Sequence, residues 1–380
     1  MNDSFFMKKA ISLALKGSGH TNPNPLVGCV IVRDKKIIAQ GFHHKYGELH
    51  AERDALKNAY DNNIDVSGAT MFVTLEPCCH HGKQPPCTDA IIESKIKKVV
   101  IGSRDPNPLV NGKGKKILEA AGIQVVTDFM RAECDAINEI FFHYIKTKTP
   151  YVVLKYAMTA DGMSATYKGK SQWITGDTAR KNVHIERSKL MAVMTGINTV
   201  LSDNPLLTVR LKDKTLRQPV RVVIDSKLKI DKDSNLVKTA CEVPLFIFTV
   251  KTTFKKNSQK VQTLTQSGAK IFAVSSYKDG HTDLREVLKI LGENSIDSVL
   301  VESGGFLNAS LLFSYEKPLA NEIHAYIAPK IFGNDGNTVF CPVRGLGTKE
   351  TEGCIKLFKP QIEFFDDDVL LKYKLNLEEA

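Results

Sequence analysis

The sequence is read as an α/β protein of two domains, residues 1–147 and 148–380, on three observations. Strand-like apolar runs alternate with helical patterns along both halves. At Thr149-Pro150 a helical stretch stops and a β run, Tyr151 to Ala157, starts at once; proline cannot continue a helix and pushes the preceding residue towards extended backbone. At 380 residues the chain is also long enough to bury more than one core.

In the first half, Asn2, Asp3 and Ser4 precede an amphipathic stretch, so a capped helix is expected over Ser4 to Lys16, ending near Gly17, rather than a secretory signal. A hairpin follows, Val27 to Arg33 and Ile37 to Gly41, turning at Asp34-Lys35-Lys36. A helix is expected from His50 to Ala59, a strand at Thr70 to Leu75, a proline-rich loop at Pro77 to Pro86 and a helix at Thr88 to Ser94. Then come a strand (Lys98 to Gly102), a helix (Gly114 to Ala121), a strand (Gln124 to Thr127) and one long helical stretch, Asp128 to Lys146. In the second half, Val220 to Asp225, Leu245 to Val250, Ile271 to Val274, Ser298 to Glu302 and Glu322 to Ala328 read as strands. Leu284 to Leu291 and Asn308 to Phe313 read as helices, and Asn334 to Ala380 as closing strands.

The composition, 42% hydrophobic and 25% charged, is that of a globular chain and excludes wholesale disorder or a fibre. The net charge of +10 is spread, with 19 Lys/Arg against 16 Asp/Glu in residues 1–147 and 33 against 26 in the rest. No basic tail or long Lys/Arg run marks a nucleic-acid arm, and no stretch of 18 uninterrupted apolar residues could span a bilayer. The expected partners therefore exclude nucleic acid and membrane. Eight cysteines with only three clustered fit a reducing, cytoplasmic compartment, where such clusters mean metal or catalysis.

That cluster lies near His50-Ala51-Glu52 in type if not in sequence: Pro77-Cys78-Cys79 ends a strand and Cys87 follows nine positions after Cys78. One imidazole and two thiolates suit zinc, and three protein ligands leave a fourth tetrahedral position open, the catalytic arrangement. A carboxylate two residues after the histidine can sit beside that position and move a proton from water to a leaving amine. The competing reading is a closed structural site built from Cys78, Cys79 or Cys87 with His80 or His81. Counting positions leaves either Cys78 or Cys79 as the ligand, with Cys78 preferred.

His50-Ala51-Glu52 with Pro77-Cys78 resembles the cytidine-deaminase superfamily, whose general signature places two residues between its cysteines; here eight intervene. That longer loop, with Thr21-Asn-Pro-Asn-Pro-Leu-Val-Gly28 and Gly41-Phe-His-His-Lys-Tyr-Gly47, resembles the deaminase domain of the bifunctional riboflavin-biosynthesis deaminase/reductases. The resemblance implies an α/β/α deaminase fold, zinc on His50, Cys78 and Cys87, Glu52 as proton shuttle, and Asn24, His43, His80 and Lys83 lining a phosphorylated pyrimidine substrate. Cys79 departs from the pattern and is expected to stand aside from the metal. If His43 and His44 lie on a strand, only one of them can point at the site.

In the second half, Val299-Leu-Val-Glu-Ser-Gly-Gly-Phe-Leu-Asn-Ala-Ser310 reads as a buried strand whose two glycines open a helix. Such a junction presents free N–H groups and the positive helix end, an anion site, although a Gly-Gly pair alone is also a tight turn. It has neither the Rossmann nor the P-loop spacing. With Ala157-Met-Thr-Ala-Asp-Gly162, Lys170-Ser-Gln-Trp-Ile-Thr175 and Thr195 to Arg210, it resembles the reductase domain of the same bifunctional enzymes, a fold similar to dihydrofolate reductase. By that resemblance Ala157, Trp173, Thr199, Asp203, Ser226 and Gly304, Gly305, Phe306, Leu307, Asn308, Ala309 and Ser310 contact NADPH. Ser171, Arg187, Leu207, Arg210 and Glu302 contact the substrate. The two arginines suit a phosphate because a guanidinium fork spans two of its oxygens.

The expectation is a zinc-dependent deaminase followed by an NADPH-dependent reductase, in the cytoplasm, as a homo-oligomer (dimer or tetramer). A zinc deaminase acting on a tRNA or DNA base is the alternative, disfavoured by the cysteine spacing and the second domain.

Overall fold

The computed structural model describes residues 2–80, 85–108, 110–212 and 216–375. The chain divides into two compact units, Met1–Lys148 and Thr149–Ala380.

The first unit opens with helix α1 (Asp3–Ala14), capped by the Asn2 side chain, which accepts from the Phe5 N–H. Strands β1 (Gly28–Arg33) and β2 (Lys36–Phe42) form the hairpin. Its turn has two residues rather than the expected three, because Asp34 and Lys35 both take left-handed backbone (φ 49° and 57°) while Lys36 pairs with Arg33. That is the turn geometry whose twist matches the flanking strands. Then follow α2 (Ala51–Asp61), β3 (Thr70–Leu75), α3 (Cys87–Glu93), β4 (Lys98–Ser103), α4 (Lys113–Ala120) and β5 (Gln124–Val126). The strands make one sheet ordered β2-β1-β3-β4-β5, with β1 antiparallel to both neighbours and β3, β4 and β5 parallel.

Alternation along the strands builds two cores. Cys29, Ile31, Met71, Val73, Val99 and Ile101 face Ala51, Ala55 and Ala59 of α2, Ile91 of α3 and Leu118 of α4. Val30, Val32, Phe72 and Val100 face Phe6, Met7, Ala10 and Leu13 of α1 on the other side. The result is an α/β/α layer. The expected single helix over Asp128 to Lys146 is two, α5 (Arg131–Ala136) and α6 (Glu139–Thr147). At the break, the Asn138 side chain accepts from the Leu26 N–H and donates to the Leu26 carbonyl, pinning the chain to a distant segment.

In the second unit the elements run β6 (Tyr151–Thr159), α7 (Asp177–Lys189), β7 (Ala192–Gly196), α8 (Ile197–Asp203), β8 (Val220–Ile224), α9 (Asn235–Lys238), β9 (Leu245–Val250), α10 (Lys251–Lys256), α11 (Ser258–Gln266), β10 (Lys270–Val274), α12 (Leu284–Glu293), β11 (Ser298–Glu302), α13 (Gly305–Phe313), β12 (Glu322–Ala328), β13 (Leu357–Phe365) and β14 (Asp368–Leu375). The nine strands are ordered β10-β9-β8-β7-β11-β6-β12-β14-β13. All pair in parallel from β10 to β12, and β14 and β13 close the sheet antiparallel. One core joins Met194, Val222, Phe248, Val299 and Val301 to Val287, Leu288 and Leu291 of α12.

Six elements here escape the sequence pattern: α7, β7, α8, α9, α10 and α11. The buried residues of α7 are Ala179, Val183, Glu186 and Ser188, so its inner face is half polar and carries little apolar periodicity. Among the described residues of the closing segment, regular strand structure is confined to β13 and β14, which begin only at Leu357.

Candidate active sites

In the first unit three elements converge. His50 caps the start of α2 with extended backbone, Cys78 lies just beyond the end of β3, and Cys87 is the first residue of α3. The His50 Nδ1 atom stands 3.4 Å from the Cys78 Sγ and 3.5 Å from the Cys87 Sγ. A tetrahedral zinc with ordinary Zn–N and Zn–S bonds holds such donors about 3.6 Å apart. Among the described residues these three form the group able to hold a metal ion, with all donor atoms within 4.8 Å of one another. Donor chemistry and spacing both fit zinc, and Cys79 is not in the set.

Glu52 lies in the first turn of α2 and is only 3% exposed. Burial pushes its carboxyl up to about 6, with the charge of the Cys78 thiolate adding to the effect. Its hydrogen bond to Cys87 sets it against the donor group. The Cys78 thiol is pushed down to about 4, chiefly by its hydrogen bond with Cys87 and then by His50, so it presents a ready thiolate.

His43 is 1% exposed and its ring centroid lies 5.5 Å from that of His50. Its Nδ1 is 2.8 Å from the Leu49 carbonyl, and Nε2 is 3.3 Å from the Asn24 Nδ2. The carbonyl requires a proton on Nδ1, which makes Nε2 the acceptor of the Asn24 amide proton. Burial holds the ring below its ordinary value. His44 turns the other way, stacks on Phe42 and pairs with Asp54 at 3.0 Å. Both histidines lie just past the end of β2, and the two point apart. His80 has a buried Nδ1 without a partner among the described residues. Lys83 lies outside the described residues.

In the second unit a cleft of about 830 Å³ opens at the carboxyl ends of β7, β8 and β11, the usual ligand position of a parallel sheet. Thr199, Ser226, Gly304, Phe306, Leu307, Ala309 and Ser310 line it, as do Lys227, Lys229, Lys278, His281 and Arg344. The cations and the start of α13 supply the donors that a dinucleotide's phosphates need. Two lining side chains, Asp225 and Thr282, keep buried oxygen atoms without partners among the described residues, polar sites that a ligand can meet. Gly305 is required by close packing, since a Cβ there would stand 2.5 Å from the Cys341 carbonyl oxygen. Of the remaining expected cofactor residues, Asn308 is fully buried and donates to the Pro342 carbonyl. Ala157, Asp203, Gly305 and Trp173 do not line the cleft, and Trp173 is 60% exposed beneath the Arg180 guanidinium.

The expected substrate residues form a second cluster. Arg187 meets both oxygens of Glu302 (2.5 and 3.0 Å) and donates to the Thr208 carbonyl beside the buried Leu207. Lys155, which the sequence did not single out, also reaches Glu302 at 3.3 Å. The Arg210 N–H donates to His184, whose ring is pushed down to about 4 by burial and then by the Arg187 and Arg210 charges. Ser171 is half-buried in an irregular segment before α7. Lys155 and His184 could have been found only from the pairing of β6 with β11 and the packing of α7, which no local motif encodes.

Residues 1–103 match the model for the cytidine and deoxycytidylate deaminase zinc-binding region, and residues 150–371 match that for the RibD C-terminal domain. The chain is 48% identical over 373 residues, 98% of its own length and 95% of the relative's, to the riboflavin biosynthesis protein RibD of Actinobacillus pleuropneumoniae. A solved diaminohydroxyphosphoribosylaminopyrimidine deaminase/5-amino-6-(5-phosphoribosylamino)uracil reductase from Thermotoga maritima is similar at 39% identity and a TM-score of 0.81, over 98% of both chains. Acinetobacter baumannii RibD is similar at 33% identity and a TM-score of 0.85, over 98% of this chain and 99% of that one. With its zinc-dependent deaminase and NADPH-dependent reductase domains, the chain belongs to the RibD family of bifunctional riboflavin-biosynthesis enzymes.

Proposed function

We propose that the first unit deaminates a diaminopyrimidinone carrying a ribosyl 5-phosphate and that the second unit reduces the ribosyl group of the product to ribityl. The observation that carries the first assignment is the convergence of His50, Cys78 and Cys87 beside the buried carboxyl of Glu52. A zinc ion held by those three residues supplies the Lewis acidity that makes water nucleophilic at neutral pH. Glu52 takes a proton from the attacking water as its oxygen bonds to C2 and passes it to the ring nitrogen as the C2=N bond opens; it then carries the remaining hydroxyl proton to the amine as the C–N bond breaks, leaving a carbonyl and ammonia. Burial raises the Glu52 carboxyl, which suits it to give a proton back as well as to take one. Asn24 and His43, locked to each other, offer the pyrimidine edge a fixed donor and acceptor pattern. Lys83 and His80 complete the substrate contacts.

In the second unit NADPH supplies the hydride. The chain's work is to hold C1′ of the ring-opened sugar against the nicotinamide. Thr199, Ser226, Gly304, Phe306, Leu307, Ala309 and Ser310, which line the cleft, bind the cofactor; Ala157, Trp173 and Asp203 meet it at the margins, and Gly305 and Asn308 hold the start of α13 that cradles it. Ser171, Leu207, Arg210 and the Arg187–Glu302 pair orient the substrate, with Arg210 as the phosphate partner, since the Arg187 fork is engaged by Glu302.

The enzyme acts in the cytoplasm as a homo-oligomer and binds neither nucleic acid nor membrane. None of the eight cysteines forms a disulfide, which suits a reducing compartment, and no described helix is long and apolar enough to cross a membrane. The edge strand β13 carries exposed Ile362 and Phe364 (60% and 72%), a surface that a second copy would cover. Incubation with the diaminopyrimidinone phosphate, with and without NADPH, tests the central reading by product mass. Deaminated product alone without NADPH, and the ribityl product with it, is the expected result; no ammonia release by zinc-loaded enzyme overturns it.

A further inference from the structure

The two cysteine donors stand far apart in sequence for a shared metal. Where two residues separate such ligands, one turn of backbone sets both. With eight between them, the spacing alone does not set both ends, because closing a longer segment costs more entropy and each end needs its own support.

At the Cys78 end the carboxylate of Glu76 does this. Glu76 is 5% exposed, and its N–H donates to the Ser103 carbonyl at 3.0 Å, extending the β3–β4 pairing one residue past Leu75. Its side chain crosses to the start of α4, where Oε2 accepts from the Gly112 N–H at 3.0 Å and Oε1 from the Lys115 N–H at 3.2 Å. These are N–H groups that a helix start leaves without internal partners, and the positive helix end favours the negative charge. The contact is close: a Cβ on Gly114 would stand 2.3 Å from the Pro77 carbonyl oxygen. Glu76 is thus fixed through both backbone and side chain, and the ring of Pro77 restricts the one residue between it and Cys78.

At the Cys87 end the guanidinium of Arg53, the residue after Glu52, plays the matching part. Its Nε donates to the Pro85 carbonyl at 3.1 Å and an Nη to the Pro86 carbonyl at 2.7 Å. Neither proline has an N–H, so the loop has fewer backbone bonds of its own to hold this end. Two charge-assisted bonds from α2 hold it instead, and α2 is the helix that carries His50 at its cap and Glu52 in its first turn.

We propose that Glu76 and Arg53 are positioning residues for the metal centre, setting Cys78 and Cys87 at coordinating distance from His50 without ligating. The inference rests on the assignment of His50, Cys78 and Cys87 as ligands. The test uses the full-length protein and zinc alone, measuring the zinc dissociation constant by chelator competition and the absorption of the cobalt-substituted form. Glu76→Gln and Arg53→Ala are each expected to weaken zinc binding by about 10–100-fold, the usual effect of removing a partner outside the ligand set, and to change the cobalt bands. Arg53→Lys, which keeps one donor, should recover part of the loss. If Arg53→Ala does not fold, Arg53→Lys decides that end, and the isosteric Glu76→Gln decides the Glu76 end. Zinc affinity within twofold of the parent and an unchanged cobalt spectrum in both variants overturn the proposal, even if the melting temperature falls. Cys78→Ala separates the two readings: if it keeps full zinc, the ligand assignment has failed; if it loses zinc while Glu76→Gln and Arg53→Ala do not weaken binding, the positioning role has failed.

Discussion

Arg187 on α7 and Glu302 at the end of β11 form a two-bonded ion pair of 2.5 and 3.0 Å, with each side chain only 11% exposed. The pair joins a helix to the middle of the sheet and sits among the expected substrate contacts. Lys155 adds a second cation, and together the two hold the Glu302 carboxyl well below the usual range despite its burial. Removing one partner leaves an uncompensated buried charge. Glu302→Gln is therefore expected to cost about 3 kcal/mol, lowering the melting temperature of the second unit by roughly 6–12 °C, and to weaken substrate binding. Calorimetry and reductase KM check both.

Acid should find the same region first. Glu322, bonded to His324 and Lys374, is pushed down to about 2, and Glu302 shifts in the same direction from an ordinary value of 4.5. Groups depressed by folding contribute stability above their unfolded value and lose it as pH falls towards the folded one. Because His184 is held down at about 4 from an ordinary 6.5, the second unit should be steady only above about pH 6.5, soften below it, and lose stability further below pH 4.5 as Glu302 and Glu322 protonate, as followed by thermal melts at stepped pH. A melting temperature that stays flat below pH 4 would count against these pairs.

Replacing Glu52 with Gln keeps the shape of the side chain but removes its proton chemistry. Ammonia release should fall by about 10²–10⁴-fold with zinc content unchanged, while NADPH oxidation on supplied deaminated product continues at the parent rate. Normal ammonia release would show that Glu52 is not the shuttle.

Cys79 lies next to a ligand in sequence but outside the donor set. Cys79→Ser should keep one zinc per chain by metal analysis, whereas Cys78→Ala should lose it. The reverse outcome would exchange the two assignments.

Gly305→Ala forces a methyl group against the Cys341 carbonyl and the Arg344 side chain, at 2.5 and 2.7 Å. The start of α13 must shift, and NADPH affinity is expected to drop about tenfold. Trp173, the single tryptophan, is exposed and provides a fluorescence probe for the titration.

The β hairpin and the separate strands β3, β4 and Ser298–Glu302 were legible because their apolar runs are local and bounded by turn residues, whereas the parallel pairing of β3 with β4 was not. The break that splits the helical stretch at residues 128–146 in two was not legible either, since nothing near Asn138 in sequence shows that its amide is taken by Leu26, 112 residues away. Helix α7 was missed for a related reason: its buried Glu186 has partners in Lys372 and His324 on other strands, so polarity in sequence does not mean exposure.

By itself the sequence determined the chemistry of this protein: one histidine and two cysteines that suit zinc, a carboxylate two positions on, and a glycine pair opening a helix after a buried strand. These features depend on residue type and short spacing. Tertiary structure alone decided that Cys78 rather than Cys79 faces His50, that His43 turns inward and His44 outward, and that the Arg187 fork is spent on Glu302. The direction of a side chain is set by the packing of elements distant in sequence, and a local pattern carries no record of that packing.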